Sequence, residues 1–534
     1  MRHDPVDVLI IGAGASGAAF AWSMADTRMR ILCLEQGDWM NPSTYPSAGR
    51  DGELRHLTDF SFNPNVRARE TDYPVNDKDS PISIANFCGV GGSTVLYAAH
   101  FPRFHPSDFK VRSCDGVADD WPIDYATLEP YFAENDRMMG ISGLNGDTAY
   151  PPKQMPLPPV PLGNSGEALA RGFNELGWHW WPSDSAIATR PYEGRDKCLN
   201  LGPCTSGCAQ GAKGSTDITY WPEAIRRGVQ LRTRCRVREI TLGDNGMASG
   251  VVYLDADNRE HFQPAEVVVL ASNGIGTPRI LLNSRSGRFP NGMANDTDLV
   301  GRNLMFHPYA SVIGTFEKRL DGQFGPAGCC IWSQEFYETD RTRDFVRGYT
   351  MEIVRGRGAL VTAINGLNSG QIPWGAGFHD AYRQLFAHTA GMVCICEDLP
   401  EAHNRVVLDP ELTDSSGIPA PRLEYTLSEN SLRMLDHAVA RSTEVLKAAG
   451  AIHVQADSPW RAAGWHNMGT ARMGDDPGSS VVDRRGRAHS VRNLFIVDGS
   501  IFVTSAGVNP TSTIQALALY VADEMKKNLA NLFD

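Results

Sequence analysis

Residues 6–37 read VDVLIIGAGASGAAFAWSMADTRMRILCLEQG, and this stretch decides the fold. Val6 to Ile11 is an apolar run interrupted only by Asp7, as expected of a strand buried on both faces. Gly12, Gly14 and Gly17 form G-x-G-x-x-G, Ala18 to Ala25 reads as a helix, and Arg30 to Glu35 as a second, parallel strand. The three glycines have separate tasks. The first makes the tight turn, the second lets backbone approach a pyrophosphate, and the third lets helix and strand pack closely. The helix then turns its partial positive charge toward the phosphates. Glu35 ends the second strand, at the spacing where a carboxylate accepts from an adenosine ribose hydroxyl. Strand, helix, strand and terminal acid together indicate dinucleotide binding. The acid disfavours a 2′-phosphate, but the motif alone does not separate FAD from NAD.

The chain has 534 residues, enough for two or three domains. Apolar residues make up 42% and charged residues 21%, an ordinary globular balance. A formal charge of −12 argues against a nucleic-acid partner. No run approaches the roughly 20 apolar residues that span a bilayer, and the N-terminus, MRHDPVDVLIIG, lacks the layout of a signal peptide. Eleven cysteines fit reduced thiols in the cytoplasm better than a disulfide framework. Self-association is compatible with this composition.

Further segments extend the pattern. Residues 81–104, PISIANFCGVGGSTVLYAAHFPRF, carry Gly89, Gly91 and Gly92, again implying close approach of backbone to a ligand. Residues 229–240 alternate strictly, with Arg232, Arg234, Arg236 and Arg238 on one face, and read as a strand with that face in solvent. Val251 to Leu254 and Val267 to Leu270 are further strands, and residues 493–525 read as strand, turn and long helix. Residues 150–163, YPPKQMPLPPVPLG, are an extended connector.

Taken together, GAGASG with Glu35, GVGGST, VVVLASNGIGTPRILLNS, VGRNLMFHP, HNMGTARMG and VDGSIF with GVNPTST resemble the glucose–methanol–choline (GMC) family of flavin oxidoreductases. The likeness is strongest to the branch of pyranose 2-oxidase, glycoside 3-oxidases and the large subunits of gluconate and fructose dehydrogenases. It implies FAD and an α/β plus α+β chain: a Rossmann-like FAD-binding domain with a substrate domain built on an antiparallel sheet. The FAD domain is expected in pieces, 1–48, 80–112, 195–310 and 456–534. The substrate domain is expected at 113–194 and 311–455, with 49–79 as a connecting or lid segment. Residues 404–425 are expected to supply strands and a turn of the substrate sheet. FAD contacts are implied at Gly12, Gly14, Gly17, Glu35, Gly91, Gly92, Ser93, Val237, Asp498, Gly499, Pro510 and Thr511.

Oxidising an alcohol with a flavin removes a hydride from carbon and a proton from oxygen, and the proton needs a base within hydrogen-bond reach. By resemblance that base is His466, with Asn509 orienting the substrate oxygen. On residues alone a lone histidine is ordinarily a core or surface group; the match at both motifs reverses that reading. Asn509 and Pro510 also read as N-cap and first residue of a helix over Ser512 to Met525, whose positive end would favour negative charge on reduced flavin. His307 and His403 read as structural. The resemblance implies oxidation of a secondary hydroxyl, at C2 or C3, of a sugar or glycoside to a ketone. Two alternatives stand beside it: a dehydrogenase subunit passing electrons to a cytochrome, and a lyase that keeps FAD without redox work. The tryptophans of GWHWWP, 177–182, are compatible with sugar stacking and equally with core packing.

Two departures from the family pattern carry information. Cys198, Cys204 and Cys208 have the C-x5-C-x3-C spacing that holds a three-iron cluster in some relatives. Here AQGAKGS follows Cys208 without the proline of cluster-bearing chains, so the reading is three thiols in a tight loop and no metal. Where pyranose 2-oxidase links FAD to a histidine, this chain has Leu96, with His100 out of register. Leucine cannot form the bond, so FAD is expected to be non-covalent. Acid precipitation is therefore expected to leave the yellow colour in the supernatant; a yellow pellet contradicts this.

Overall fold

The computed structural model describes residues 3–49, 51–328 and 330–529. β1 (Val6–Ile11) runs into the glycine turn, followed by α1 (Ala15–Met24) and β2 (Ile31–Leu34). β1 pairs in parallel with β2 on one side and β7 (Glu260–Leu270) on the other. β4 (Gln230–Arg232) extends the parallel layer beyond β2, and β15 (Leu494–Ile496) pairs with β7. β7 serves two layers. Its residues 260–264 pair antiparallel with β6 (Ala248–Leu254), which pairs with β5 (Arg236–Leu242), and from Ala265 onward it pairs with β1. The C-terminal helix Thr511–Lys527 packs along α1. Leu9, Ile10, Leu32 and Val268 are fully buried, as strands covered on both faces require.

The single strand expected over 229–240 is instead two strands at opposite ends of this sheet. The chain turns at Arg234, whose φ of +55° lies in the left-handed region. Arg236 is consequently not in solvent. It is buried, bonded to the carbonyls of Glu70 and Asp72, and 3.3 Å from Asp414.

A second sheet is wholly antiparallel, in the order β14-β8-β11-β10-β9-β3. Its strands are β3 (Trp181–Pro182), β8 (Tyr309–Phe316), β9 (Ile331–Ser333), β10 (Tyr349–Val354), β11 (Thr389–Cys396) and β14 (Ala451–Asp457). Ala310, Val312, Met351, Ile353, Met392 and Cys394 form a core with the helices Gly163–Leu176 and Glu429–Ala448. Alternation then turns Tyr309, Glu352, Val354 and Val393 to the opposite face. Residues 404–425 do not join this sheet, contrary to expectation. They form a separate ribbon, β12 (Arg405–Thr413) with β13 (Pro419–Glu424). Val406 and Leu423 bury themselves with Tyr73, Ile84 and Ile275, so the hydrophobic face of the ribbon is satisfied beside the first sheet.

The ten described cysteines are free thiols, and among the described residues no helix is long and apolar enough to cross a membrane. Segment 105–115 is tied to the second sheet through Arg347, which is fully buried. Its guanidinium lies 2.5 Å from Asp108, 2.9 Å from Glu397 and 3.0 Å from Asp115. Burial pushes the Glu397 carboxyl up to about 8 while the Arg347 charge opposes the shift. Replacing the cation strands buried carboxyl groups. Arg347→Met is expected to lower the unfolding free energy by about 3–5 kcal/mol in urea titration; a change within about 1 kcal/mol contradicts this account.

Candidate active site

One cavity of about 520 Å³ runs from the glycine turn of the first sheet to the free face of the second. At one end lie Gly12, Gly14, Glu35, Val237, Gly92 and Ser93. Asp498, Gly499, Pro510 and Thr511 line its middle wall with His466 and Asn509. Gly17 and Gly91 do not face the cavity. A Cβ on Gly17 would sit 2.0 Å from the Gly12 carbonyl, so this glycine serves the packing of α1 on its own turn. Gly91 has φ +94° and sits against Val95 and Asp217.

The structural test for FAD is whether backbone can approach the cofactor closely with donors free. A Cβ on Gly92 would lie 2.8 Å from Gly14 Cα, so the two glycine segments meet backbone to backbone. The N-cap of α1 is Gly14, with no side-chain cap, which leaves first-turn N–H groups open to the cavity. Glu35 is buried, and its carboxylate accepts from Ala13 N and Gly37 N at 2.8 Å each. Its second lone pairs remain for ribose hydroxyls. The residues present fit the dinucleotide.

The second helix N-terminus differs from expectation. Pro510, not Asn509, occupies the N-cap of the helix Thr511–Lys527, and no side chain caps it. Asn509 instead neighbours Glu352, and its polar side chain opposes the rise in the carboxyl's pKa caused by burial. Asn509 Oδ1, Ser512 Oγ and Thr513 Oγ1 are buried without partners among the described residues.

His466 is placed by strand-like pairing of two loops. Met305 and Met468 exchange backbone hydrogen bonds of 3.0 Å in antiparallel register. Two residues out along each segment, His307 and His466 therefore face one another. His307 Nε2 lies 2.7 Å from the Ala506 carbonyl and 3.2 Å from that of Ser505. Both are acceptors, so Nε2 carries the proton. Burial lowers the pKa of His307 to about 4, so the ring is neutral and its Nδ1 is bare. That Nδ1 is 2.7 Å from His466 Nδ1, which must then be the donor. Tyr309 Oη approaches the same His466 Nδ1 at 3.1 Å. His466 is also held well below the usual histidine range, by burial and then by His307. Its Nε2 is therefore unprotonated, with no partner among the described residues, in a ring that lines the cavity.

Several residues here escape a sequence reading. His307 reads as structural yet sets the tautomer of His466. Tyr309, Glu352, His100, Trp460 and Trp465 line the cavity as well. Glu352 had a visible signal, a lone acid in the apolar run YTMEIV. The tryptophans of GWHWWP do not line the cavity. Trp178 packs edge-on against Phe336, while Trp180 and Trp181 bond to Asn174 and Leu144. Cys198, Cys204 and Cys208 also lie off the cavity wall, and among the described residues no group of three His, Cys, Asp or Glu side chains is arranged to hold a metal. Buried Lys213 organises this loop by donating to the carbonyls of Val95, Tyr97 and Cys204.

Comparison with known proteins agrees with this geometry. The N-terminal model described as GMC oxidoreductase matches residues 6–309, and the C-terminal one matches 400–518. The chain is 40% identical to the 2-methyl-1,2-propanediol dehydrogenase of Mycolicibacterium austroafricanum, over 99% of this chain and 97% of that protein. It is 29% identical to the fructose dehydrogenase large subunit of Gluconobacter japonicus, over 98% of each. The crystal structure of pyridoxine 4-oxidase from Mesorbium loti superposes with a TM-score of 0.67 at 18% identity, covering 98% of this chain and 99% of that one, a likeness of fold alone.

Because Gly14 and Gly92 touch, a methyl group at Gly92 must push the two segments apart, and its φ of +52° adds backbone strain. Gly92→Ala is expected to cut FAD content at least tenfold after purification, read from the ratio of flavin to protein absorbance. Full occupancy would remove the contact from the cofactor site.

Proposed function

This chain belongs to the GMC oxidoreductases, flavoproteins that oxidise alcohol CH–OH groups, and on that premise we propose that it dehydrogenates a hydroxyl-bearing carbon of a compact vicinal diol with His466 as the base. The observation that carries the proposal is the proton arrangement running from the Ala506 carbonyl through His307 to His466 Nδ1. It leaves the Nε2 lone pair of His466 facing the cavity, ready to take the hydroxyl proton. FAD, when bound, supplies the acceptor for the hydride. Asn509 orients the substrate oxygen, and Tyr309 and His307 keep the base in one tautomer. Hydrophobic walls at Trp460, Trp465, Val354 and Val393 exclude water and suit a substrate with a short alkyl part.

The likeness to a 2-methyl-1,2-propanediol dehydrogenase supports the diol. A second reading, oxidation of a sugar at a secondary C2 or C3 hydroxyl, draws on the likeness to the fructose dehydrogenase subunit. Both substrate classes carry oxygen on adjacent carbons.

The test is anaerobic stopped-flow reduction of the flavin by 1,2-diols, sugars and glycosides. Wild type is expected to be bleached by a short 1,2-diol. His466→Ala is expected to keep FAD and to be reduced about 10²–10⁴-fold more slowly. A base must be unprotonated to act, and His466 is depressed. The wild-type rate should therefore hold steady down to about pH 6.5, the ordinary histidine value, and fall only below it. Near-normal reduction of His466→Ala, or loss of rate centred above that pH, would overturn the assignment.

A further inference from the structure

The mechanism above leaves one buried acid in the cavity without a task. Glu352 lies on β10 between Thr350 and Val354, on the face turned to the cavity, across from Val393 of β11 and Trp332 of β9. Its side chain is about 6% exposed, with Oε2 3.4 Å from His100 Nε2. Its Oε1 is buried without a partner, and so are Asn509 Oδ1 and His100 Nδ1. Three cavity-lining residues thus each carry a buried polar atom without a partner among the described residues, in a cavity whose walls are largely apolar. Buried polar groups are ordinarily bonded, so a cluster of this kind calls for a ligand that both donates and accepts.

We propose that Glu352 recognises the second hydroxyl of the diol: its carboxyl group, held between Asn509 and His100, hydrogen-bonds the oxygen on the carbon adjacent to the one oxidised. This rests on the alcohol-oxidation reading above. The placement follows from Asn509, which orients the reacting oxygen and also reaches Glu352. A group one carbon further along the substrate therefore falls beside the carboxyl. Burial raises the carboxyl's pKa well above the usual range and so favours the protonated form, which offers one O–H and one carbonyl oxygen. In that form it does not compete with His466 for the substrate proton. His100, lowered to about 4 by burial, is neutral, so burial biases both groups toward their uncharged forms, which suits an uncharged polyol.

The experiment compares 1,2-propanediol with 1-propanol as substrates of the FAD-loaded protein. Wild type is expected to favour the diol in kcat/KM. Glu352→Leu should lower that preference about 10- to 100-fold, the size of a lost hydrogen bond that leaves partners unsatisfied, without a matching loss on 1-propanol. Glu352→Gln, which keeps a donor and an acceptor, should retain most of the preference. If Glu352→Leu fails to hold FAD, Glu352→Asp carries the test: it withdraws the acid by one methylene and should lower the preference about tenfold. A binding arm uses 2,3-dimethyl-2,3-butanediol, which has no carbinol hydrogen, against tert-butanol in calorimetry. Tighter binding of the diol by wild type, lost in Glu352→Leu, supports the assignment even if neither alcohol is oxidised, an outcome that would sink only the oxidation reading. Parallel losses on both alcohols, a preference surviving in Glu352→Leu, or a wild type that prefers neither compound overturns it.

Discussion

The molecule is organised around a contact between two backbones. Gly14, at the N-terminus of α1, and Gly92, in the segment that crosses it, approach so closely that a side chain on Gly92 would strike the Gly14 backbone. That contact joins the glycine turn of the first sheet to the segment leading on to Leu96 and His100. The helix Thr511–Lys527 completes the arrangement by packing on α1, so that two helix N-termini without side-chain caps open on one space. Unsatisfied N–H groups are tolerable there because an anionic ligand satisfies them. The same positions in an isolated helix would call for a capping side chain.

A second constraint acts on protons. Histidines buried against each other cannot both be charged, and both are depressed here. With charge removed, hydrogen-bond direction becomes compulsory: two backbone carbonyls dictate one nitrogen of His307, which dictates the other, which dictates His466. The tautomer of His466 is thus set by the backbone of residues 505–506, three residues before Asn509. The segment that supplies Asn509 therefore also governs His466, the base proposed above.

Much of this is legible in the sequence where the physics is local. The glycine spacing, the apolar run of β1 and the acid at position 35 each report on a few consecutive residues. They suffice for the parallel sheet and its ligand. His466 and Asn509 are legible through motif resemblance. What escapes is non-local. Nothing in RTRCRVRE announces that Arg234 will adopt a left-handed conformation and divide the strand. The ribbon of residues 404–425 has strand patterning that does not name its partner, and it packs beside the first sheet. Asn509 has the chemistry of an N-cap, but the helix begins one residue later, Pro510 takes the cap position, and Asn509 Oδ1 meets no backbone N–H among the described residues. His307 reads as structural because its role exists only once Met305 and Met468 are in register.

The site is also divided by origin. His466 and Asn509 come from loops beside the first sheet, next to the cofactor cradle. Tyr309, Glu352, Val354 and Val393, which line the cavity from the other side, come from one face of the second sheet. Strand alternation isolates that face, because its neighbours Ala310, Met351, Ile353 and Cys394 are committed to the opposite core. Substitutions at positions 352, 354 and 393 can therefore change which molecule is admitted while leaving intact both the helix-backed core and the proton arrangement at His466. A carboxyl at position 352 is the costly choice among such substitutions, since burial works against its ionisation and its partners are few. The residue is better accounted for by what it binds than by what it stabilises, because an apolar residue on that face would satisfy the fold alone.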